Sequence, residues 1–192
     1  MFSTVNSFRM LSSNSTPEIR KLPPALKTMI IKAGILSDTH LNSPDPLFRQ
    51  MVERCFADCE VIIHAGDLTD LSILDPFTEK TVHAVCGNMC RGKVRASLAS
   101  SKVFQLGGFT IGLTHGAELG YDIESGLWNL FPEVDCMIYG HTHRPVCHRV
   151  GRTLIINPGS FQSTGRWGAP GTYAILEAGK TLQAKIHQVP QH

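Results

Sequence analysis

Histidine, aspartate and asparagine side chains recur in this sequence in short motifs that each follow an apolar run. The segment YGHTHRP, for example, places two histidines two residues apart at 141 and 143. The seven residues in such motifs are Asp38, His40, Asp67, Asn88, His115, His141 and His143. Imidazole nitrogens and carboxylate or amide oxygens bind divalent transition metals, so these residues together predict a metal site.

The number of these side chains indicates two metal ions rather than one. A tetrahedral zinc site needs four ligands, and the seven side chains exceed that number. Two ions that share one bridging carboxylate would account for the whole set. Because the donors are oxygen and nitrogen without a thiolate, the set suits Mn²⁺, iron, Zn²⁺ or Ni²⁺.

The chain around these residues alternates between predicted strands and predicted helices. Apolar, β-branched runs predict strands at residues 30–37, 61–67, 82–88 and 135–143. Helical patterns predict helices at residues 45–59, 71–77 and 123–131. Asp45, which precedes Pro46, is a favourable N-cap for the first helix.

Glycine turns predict hairpins in the second half of the sequence. The hairpins span residues 101–116 around Gly107-Gly108, 148–160 around Gly151, and 171–189 around Gly179-Lys180. We therefore expect an α/β fold in which two sheets form a sandwich flanked by helices.

The polar motifs stand at the carboxyl ends of the predicted strands, where open α/β sheets bind ligands. A strand period of two predicts that Asp38 and His40 point to one side, and that His141 and His143 do the same. Glycine adjoins several of these residues and allows the backbone to approach a ligand closely. His64 lies inside an apolar run, and we expect it either to support a metal ligand from behind or to have a structural role.

Composition and charge exclude several classes of protein. The chain has 192 residues, of which 42% are hydrophobic and 18% are charged, as is typical of one globular domain. A net charge of +2 is too small to indicate a nucleic-acid partner. No apolar run reaches the roughly 20 residues that span a bilayer. The six cysteines favour reduced, buried thiols, and we expect a cytoplasmic location.

Residues 1–28 differ from the rest of the chain. They are rich in serine and threonine and contain one acidic residue, Glu18. We expect a flexible N-terminal extension before a single domain at residues 29–192. We also expect that the natural start is Met29, and a transit-like presequence is the alternative.

The ordered series DTH, GD, GN, THG and GHTH resembles the calcineurin-like metallophosphoesterases. With NPGS at residues 157–160, the short spacings resemble the small single-domain microbial phosphodiesterase branch. The resemblance covers Met29 to Val189. It implies a four-layer αββα sandwich of two mixed sheets, and a phosphoesterase that uses two divalent ions. We expect Mn²⁺ first, with Ni²⁺, iron or Zn²⁺ as alternatives.

The resemblance also implies a role for each predicted ligand. Asp38, His40 and His143 would hold one ion, Asn88, His115 and His141 would hold the other, and Asp67 would bridge both. Two ions about 3.5–4 Å apart bind the nucleophile and the phosphoryl oxygens together. A metal-bridging hydroxide would attack phosphorus in line, with Asp67, Asn88 and His115 as the catalytic residues.

The segment GNMCRG departs from the pattern that the resemblance implies. Many family members have a histidine after the asparagine that protonates the leaving group, whereas Met89 and Cys90 stand here. We therefore expect activated or diester substrates, or protonation of the leaving group by metal-bound water. Arg91 is a candidate to clamp a phosphate, with a solvated loop arginine as the alternative. Arg166, in the loop after NPGS, is a second candidate.

Two other functions stay open besides a phosphodiesterase of small phosphoesters. One is a non-catalytic protein-binding scaffold of the same fold, whose mark is the loss of metal ligands; all seven are present here. The other is a nuclease, which would carry extra domains and a basic face. We expect no membrane association, and a homodimer is compatible with the predicted hairpins.

Overall fold

A computed structural model describes residues 29–162 and 170–190, which form ten strands in two five-stranded sheets with helices on the outside. The four-layer sandwich implied by the resemblance is confirmed. The predicted N-terminal extension at residues 1–28 and Arg166 lie outside the described residues. Within the described ranges, the model has no helix with the length and apolar character that a membrane crossing requires.

The first sheet has the strand order β10-β9-β1-β2-β3. The strands β1 to β3 are parallel, and β9 pairs with β1 and β10 in antiparallel fashion. Its strands are β1 (Ile31–Leu36), β2 (Val61–His64), β3 (Thr81–Ala84), β9 (Thr172–Ala178) and β10 (Leu182–Gln188).

The second sheet has the order β4-β5-β6-β8-β7. The three central strands β5, β6 and β8 are parallel, and the edge strands β4 and β7 are antiparallel to their neighbours. Its strands are β4 (Ser101–Leu106), β5 (Phe109–Thr114), β6 (Cys136–Ile138), β7 (Val146–Val150) and β8 (Thr153–Asn157).

Within residues 29–162 and 170–190, three α-helices and one 3-10 helix cover the outer faces of the sheets. The helix α1 (Pro46–Phe56) begins as predicted, because the Asp45 carboxylate accepts a hydrogen bond from Phe48 N at 2.7 Å. The 3-10 helix spans Leu71–Phe77, and α3 spans Ile123–Leu130. The helix α2 (Gly92–Ser97) was not predicted, because only Val94 of its six residues is buried.

Alternate residues of the central strands pack on opposite faces of each sheet. In β1, Ala33 and Ile35 face the second sheet, while Leu36 belongs to the core beneath α1. In β2, Ile63 faces the second sheet and Ile62 faces the helices. Both faces are covered, which explains why these strands are continuous apolar runs in the sequence.

Phe56, at the end of α1, closes the core between that helix and the first sheet. Its ring is fully buried and lies 5.2 Å from the ring of Tyr173 and 5.9 Å from that of Phe161, centroid to centroid. The ring also sits directly over Gly34 of β1, where a Cβ would come within 2.3 Å of it. The glycine therefore lets the helix approach the strand that leads to Asp38.

We predict that Phe56→Ala lowers the free energy of unfolding by about 3–5 kcal/mol, because it leaves a cavity that the rigid sheet cannot fill. Urea unfolding followed by circular dichroism measures this change. Leu47→Ala is the matched control, because Leu47 lies on the same helix and its side chain is 49% exposed. Equal losses in the two variants would contradict the assignment of Phe56 to the core.

Candidate metal centre

The predicted ligands lie on loops that leave the carboxyl ends of parallel strands in both sheets. The loops after β1, β2 and β3 come from the first sheet, and those after β5 and β6 come from the second. In chain order, these five loops contribute Asp38 and His40, Asp67, Asn88, His115, and His141 with His143. The edge where the two sheets meet thus brings the motifs together, as the topology of open α/β sheets predicts.

The backbone conformation at this edge differs from the prediction. The strands end at Leu36 and Ile138, so Asp38, His40, His141 and His143 are not strand residues, and the period-of-two argument was wrong. These four and Asp67 instead have φ between 49° and 64°. They are the only described non-glycine residues with positive φ. Such strain is retained where surrounding contacts enforce it, and it concentrates at functional sites.

A first group of side chains consists of Asp38, His40 and His143. The Nε2 of His143 lies 3.2 Å from Asp38 Oδ1, and the Nε2 of His40 lies 3.8 Å from the same oxygen. The two imidazole Nε2 atoms are 3.4 Å apart. One ligand atom from each residue therefore faces a common centre, which is the arrangement that a single metal ion requires.

A second group forms around His115. Its Nε2 lies 3.2 Å from Asp67 Oδ2, 3.0 Å from Asn88 Oδ1 and 4.0 Å from Asp38 Oδ1. The ring of His141 is 5.3 Å from that of His115, centroid to centroid. Asp38 reaches both groups, so they are adjacent rather than separate.

The surroundings of the Asp38 carboxylate show whether these residues fit a cation. Its carboxylate is fully buried, and Oδ2 accepts hydrogen bonds from Ser37 Oγ at 2.6 Å and His141 N at 3.1 Å. Oδ1 is also buried but has no hydrogen-bond partner among the described residues. A buried, unpaired carboxylate oxygen is costly. It faces the imidazoles of both groups, and a cation held between them would satisfy it.

The tautomer of His115 is set by its other ring nitrogen. Nδ1 lies 2.8 Å from the carbonyl oxygen of Ala65 and can only donate to it. In the neutral ring, Nε2 then carries a lone pair that points at the carboxylate of Asp67. Two electron-rich groups that face each other in this way are stabilised by a cation between them. Burial lowers the pKa of His115, but the hydrogen bond and charge of Asp67 outweigh it and raise the pKa above its ordinary value. The position thus favours positive charge.

Asp67 is held in place from the loop after β3. Its Oδ1 accepts a hydrogen bond from Met89 N at 2.7 Å. Burial alone would raise the pKa of Asp67, but His115 and the Met89 N–H lower it below its usual value. A Cβ at Gly87 would lie 2.2 Å from Asp67 Oδ1. The glycine in the GN motif therefore leaves room for the carboxylate.

Several positioning residues were not singled out by the sequence. Ser37 donates to Asp38, and Ser160 Oγ donates to the backbone carbonyl of Asp38 at 3.0 Å. Asn157 Nδ2 donates to Gly140 O at 2.7 Å and so fixes the loop that carries His141 and His143. Asn157 and Ser160 belong to the NPGS motif, which therefore lies beside the site.

His64 and the cysteines have structural surroundings. His64 is fully buried with its Nε2 3.3 Å from Thr39 Oγ1, and burial lowers its pKa to about 3, so it is neutral. Cys90 is buried; its Sγ donates to Leu68 O and accepts from Gly87 N. All six cysteines are free, and burial raises the pKa of Cys86 to about 11. Five of the six cysteines are buried, as expected, whereas Cys147 is exposed.

The chain matches the calcineurin-like phosphoesterase superfamily domain over residues 31–181. It belongs to that superfamily. A probable metallophosphoesterase of Methanothermobacter thermautotrophicus is 33% identical over 80% of this chain and 90% of the relative. A phosphodiesterase of Methanocaldococcus jannaschii is 31% identical over 81% of this chain and 98% of the relative. The protein is therefore a metal-dependent phosphoesterase, and it uses divalent metal.

Solved structures share the same fold. A predicted phosphoesterase of Streptococcus pneumoniae superposes with a TM-score of 0.65 at 22% identity, covering 84% of this chain and 91% of the other. A Vps29 protein of Entamoeba histolytica, complexed with Zn²⁺, gives a TM-score of 0.62 at 19% identity, covering 83% of this chain and all of the other. At these identities the similarity establishes the fold alone.

We predict that Gly87→Ala weakens Mn²⁺ binding by at least about tenfold, because the added methyl group displaces the carboxylate of Asp67 and removes about 1.4 kcal/mol or more of binding free energy. Isothermal titration calorimetry on metal-free protein measures this affinity.

Gly108→Ala is the control for Gly87→Ala. A Cβ there has no neighbour within 4 Å, and its φ of 87° makes the replacement strained in its own right. The β4–β5 turn lies at the far end of β5 from His115, roughly 20 Å away for a six-residue strand. Unchanged Mn²⁺ affinity in Gly87→Ala would contradict the role given to this glycine.

Proposed function

We propose that the protein hydrolyses phosphodiesters at a centre of two divalent ions held by the seven predicted ligands. The observation that carries the proposal is the buried, unpaired Oδ1 of Asp38, which faces imidazoles of both side-chain groups. The M. jannaschii relative named as a phosphodiesterase supports diesters as the substrate class.

The proposed ligand assignment follows the two groups of side chains. Asp38, His40 and His143 hold one ion, Asn88, His115 and His141 hold the other, and Asp67 bridges both. The distances within the first group and around His115 support this division. The mixed oxygen and nitrogen donors make Mn²⁺ our first candidate, with Ni²⁺, iron or Zn²⁺ as alternatives.

The residues of the chain contribute position and charge to the reaction. When bound, two divalent ions supply an activated water and neutralise charge on the phosphoryl oxygens. Asp38 and Asp67 provide the negative charge that retains the ions. Asn88 and His115 hold the ion on the side of the centre nearest the substrate. Hydrolysis forms one P–O bond from water, breaks one ester P–O bond and releases an alcohol that takes a proton from solvent.

The leaving group determines which substrates suit this site. The side chain that follows Asn88 is Met89, which is 42% exposed and carries no proton to donate. Because no side chain at this position protonates a poor leaving group, we propose a preference for activated diesters.

The six free cysteines also support the proposed cytoplasmic location, since reduced thiols persist there.

We predict that metal-free protein hydrolyses bis-p-nitrophenyl phosphate only after Mn²⁺ is added, and that Asp67→Asn reduces turnover to background. The reason is the loss of the carboxylate shared between the two ions. Release of p-nitrophenol measures the rate. Asp58→Asn, at an exposed aspartate beyond α1, is the control for the same chemical change. Full turnover in Asp67→Asn would refute the bridging role.

Arg91 is proposed to contact the phosphoryl group of the substrate. It is exposed, directly precedes α2 and stands three residues after Asn88. Arg166 is proposed for the same purpose and awaits a test, because it lies outside the described residues.

We predict that Arg91→Ala raises KM by about tenfold or more, because a charge-assisted hydrogen bond contributes about 1.5–3 kcal/mol. Steady-state kinetics with bis-p-nitrophenyl phosphate measures KM. Lys93→Ala, which removes an exposed cation from α2, is the matched control and should leave KM unchanged. An unchanged KM in Arg91→Ala would remove this residue from the site.

A further inference from the structure

A cavity of about 300 Å³ opens directly beside the candidate metal centre. Asn88 and His115 form one of its walls, so the cavity begins where the second group of ligands ends. The other walls come from α2 and the segment that follows it, from the loop between β5 and α3, and from the last residue of α3.

The walls of the cavity combine apolar surface with hydroxyl groups. Three leucines supply apolar surface: Leu98, Leu119 and Leu130. Ser100, Ser101 and Thr114 supply hydroxyl groups. Mostly apolar walls with a few polar groups are typical of sites that bind a small organic group rather than an ion.

The charges in the cavity wall balance each other. Arg95 contributes one positive charge and Glu118 one negative charge. The single side-chain hydrogen bond of Arg95 within the described ranges runs from Nε to Cys90 O at 3.3 Å, so its terminal nitrogens are available. A second phosphate would meet Glu118 as well as Arg95, so the cavity suits an uncharged group better.

The volume of the cavity limits the size of that group. Since one water molecule occupies about 30 Å³ in the liquid, the cavity holds roughly ten non-hydrogen atoms. One aromatic ring with its substituents, or a fused pair of rings, is of this size.

We propose that this cavity binds an uncharged aromatic substituent of the phosphodiester while the phosphoryl group lies at the metal centre. This assignment rests on the proposed function and specifies the substrate class. Leu98, Leu119 and Leu130 provide the apolar contact, and the opposite charges of Arg95 and Glu118 leave the cavity wall without a net charge that would select an ionic group. The cavity is thus a specificity site, and the metal centre alone accounts for the chemistry.

Filling the cavity tests the proposal. Leu130→Trp and Ser100→Trp each place a large side chain at an exposed position on a different wall. We expect each variant to lower kcat/KM for bis-p-nitrophenyl phosphate by about 10- to 200-fold, the range for a hydrophobic pocket that no longer fits its group. The inhibition constant of inorganic phosphate should stay the same, because phosphate has no aromatic group. Leu47→Trp, on α1, is the matched control and should behave as wild type.

The outcomes separate this proposal from the proposed function. Loss of activity toward the aryl diester with unchanged phosphate inhibition supports the cavity assignment. Wild-type kcat/KM in both cavity variants, or an equal rise in the inhibition constant of phosphate, overturns the assignment while leaving the phosphodiesterase intact. Absence of metal-dependent turnover in the wild-type protein overturns the proposed function itself.

Discussion

Two carboxylates, Asp38 and Asp67, lie buried at the edge where the two sheets meet, and the rest of the site depends on how their charge is balanced. Burial disfavours ionised carboxylates, and like charges close together disfavour them further. The surrounding donors satisfy only one oxygen of Asp38, since Ser37 and the His141 N–H both bind Oδ2. The hydrogen bond and charge of Asp67, together with the charge of Asp38, raise the pKa of His115 and favour its protonated form. The negative charge of the two carboxylates therefore favours the binding of cations.

The fold places both carboxylates at this edge by joining strands that end there. Parallel strands in each sheet direct their following loops to the same edge, and glycines at 66, 87 and 140 allow those loops to approach closely. Contacts from outside the loops then hold the strained backbone, as Asn157 does for Gly140 and Ser160 does for Asp38. The aromatic core under α1 keeps β1 rigid, so the position of Asp38 depends on packing at Phe56 as well as on local bonds.

The sequence allowed much of this arrangement to be predicted, because apolar runs and glycine turns locate strands and hairpins without tertiary information. It failed where tertiary contacts decide the outcome. The strand β6 ends at Ile138, five residues earlier than predicted. The positive φ of Asp38 and His141 follows from contacts with distant loops. No sequence pattern predicts the cavity beside His115 or the position of Arg95 in its wall. The reason is that the walls come from four separate segments of the chain.

The proposed function requires that two ions share the carboxylate of Asp67. Anomalous diffraction from crystals grown with Mn²⁺, recorded near the manganese absorption edge, tests it most directly. We expect two anomalous peaks about 3.5–4 Å apart, with Asp67 in contact with both and Asp38 in contact with one. A single peak, or two peaks of which only one touches Asp67, would contradict the shared carboxylate.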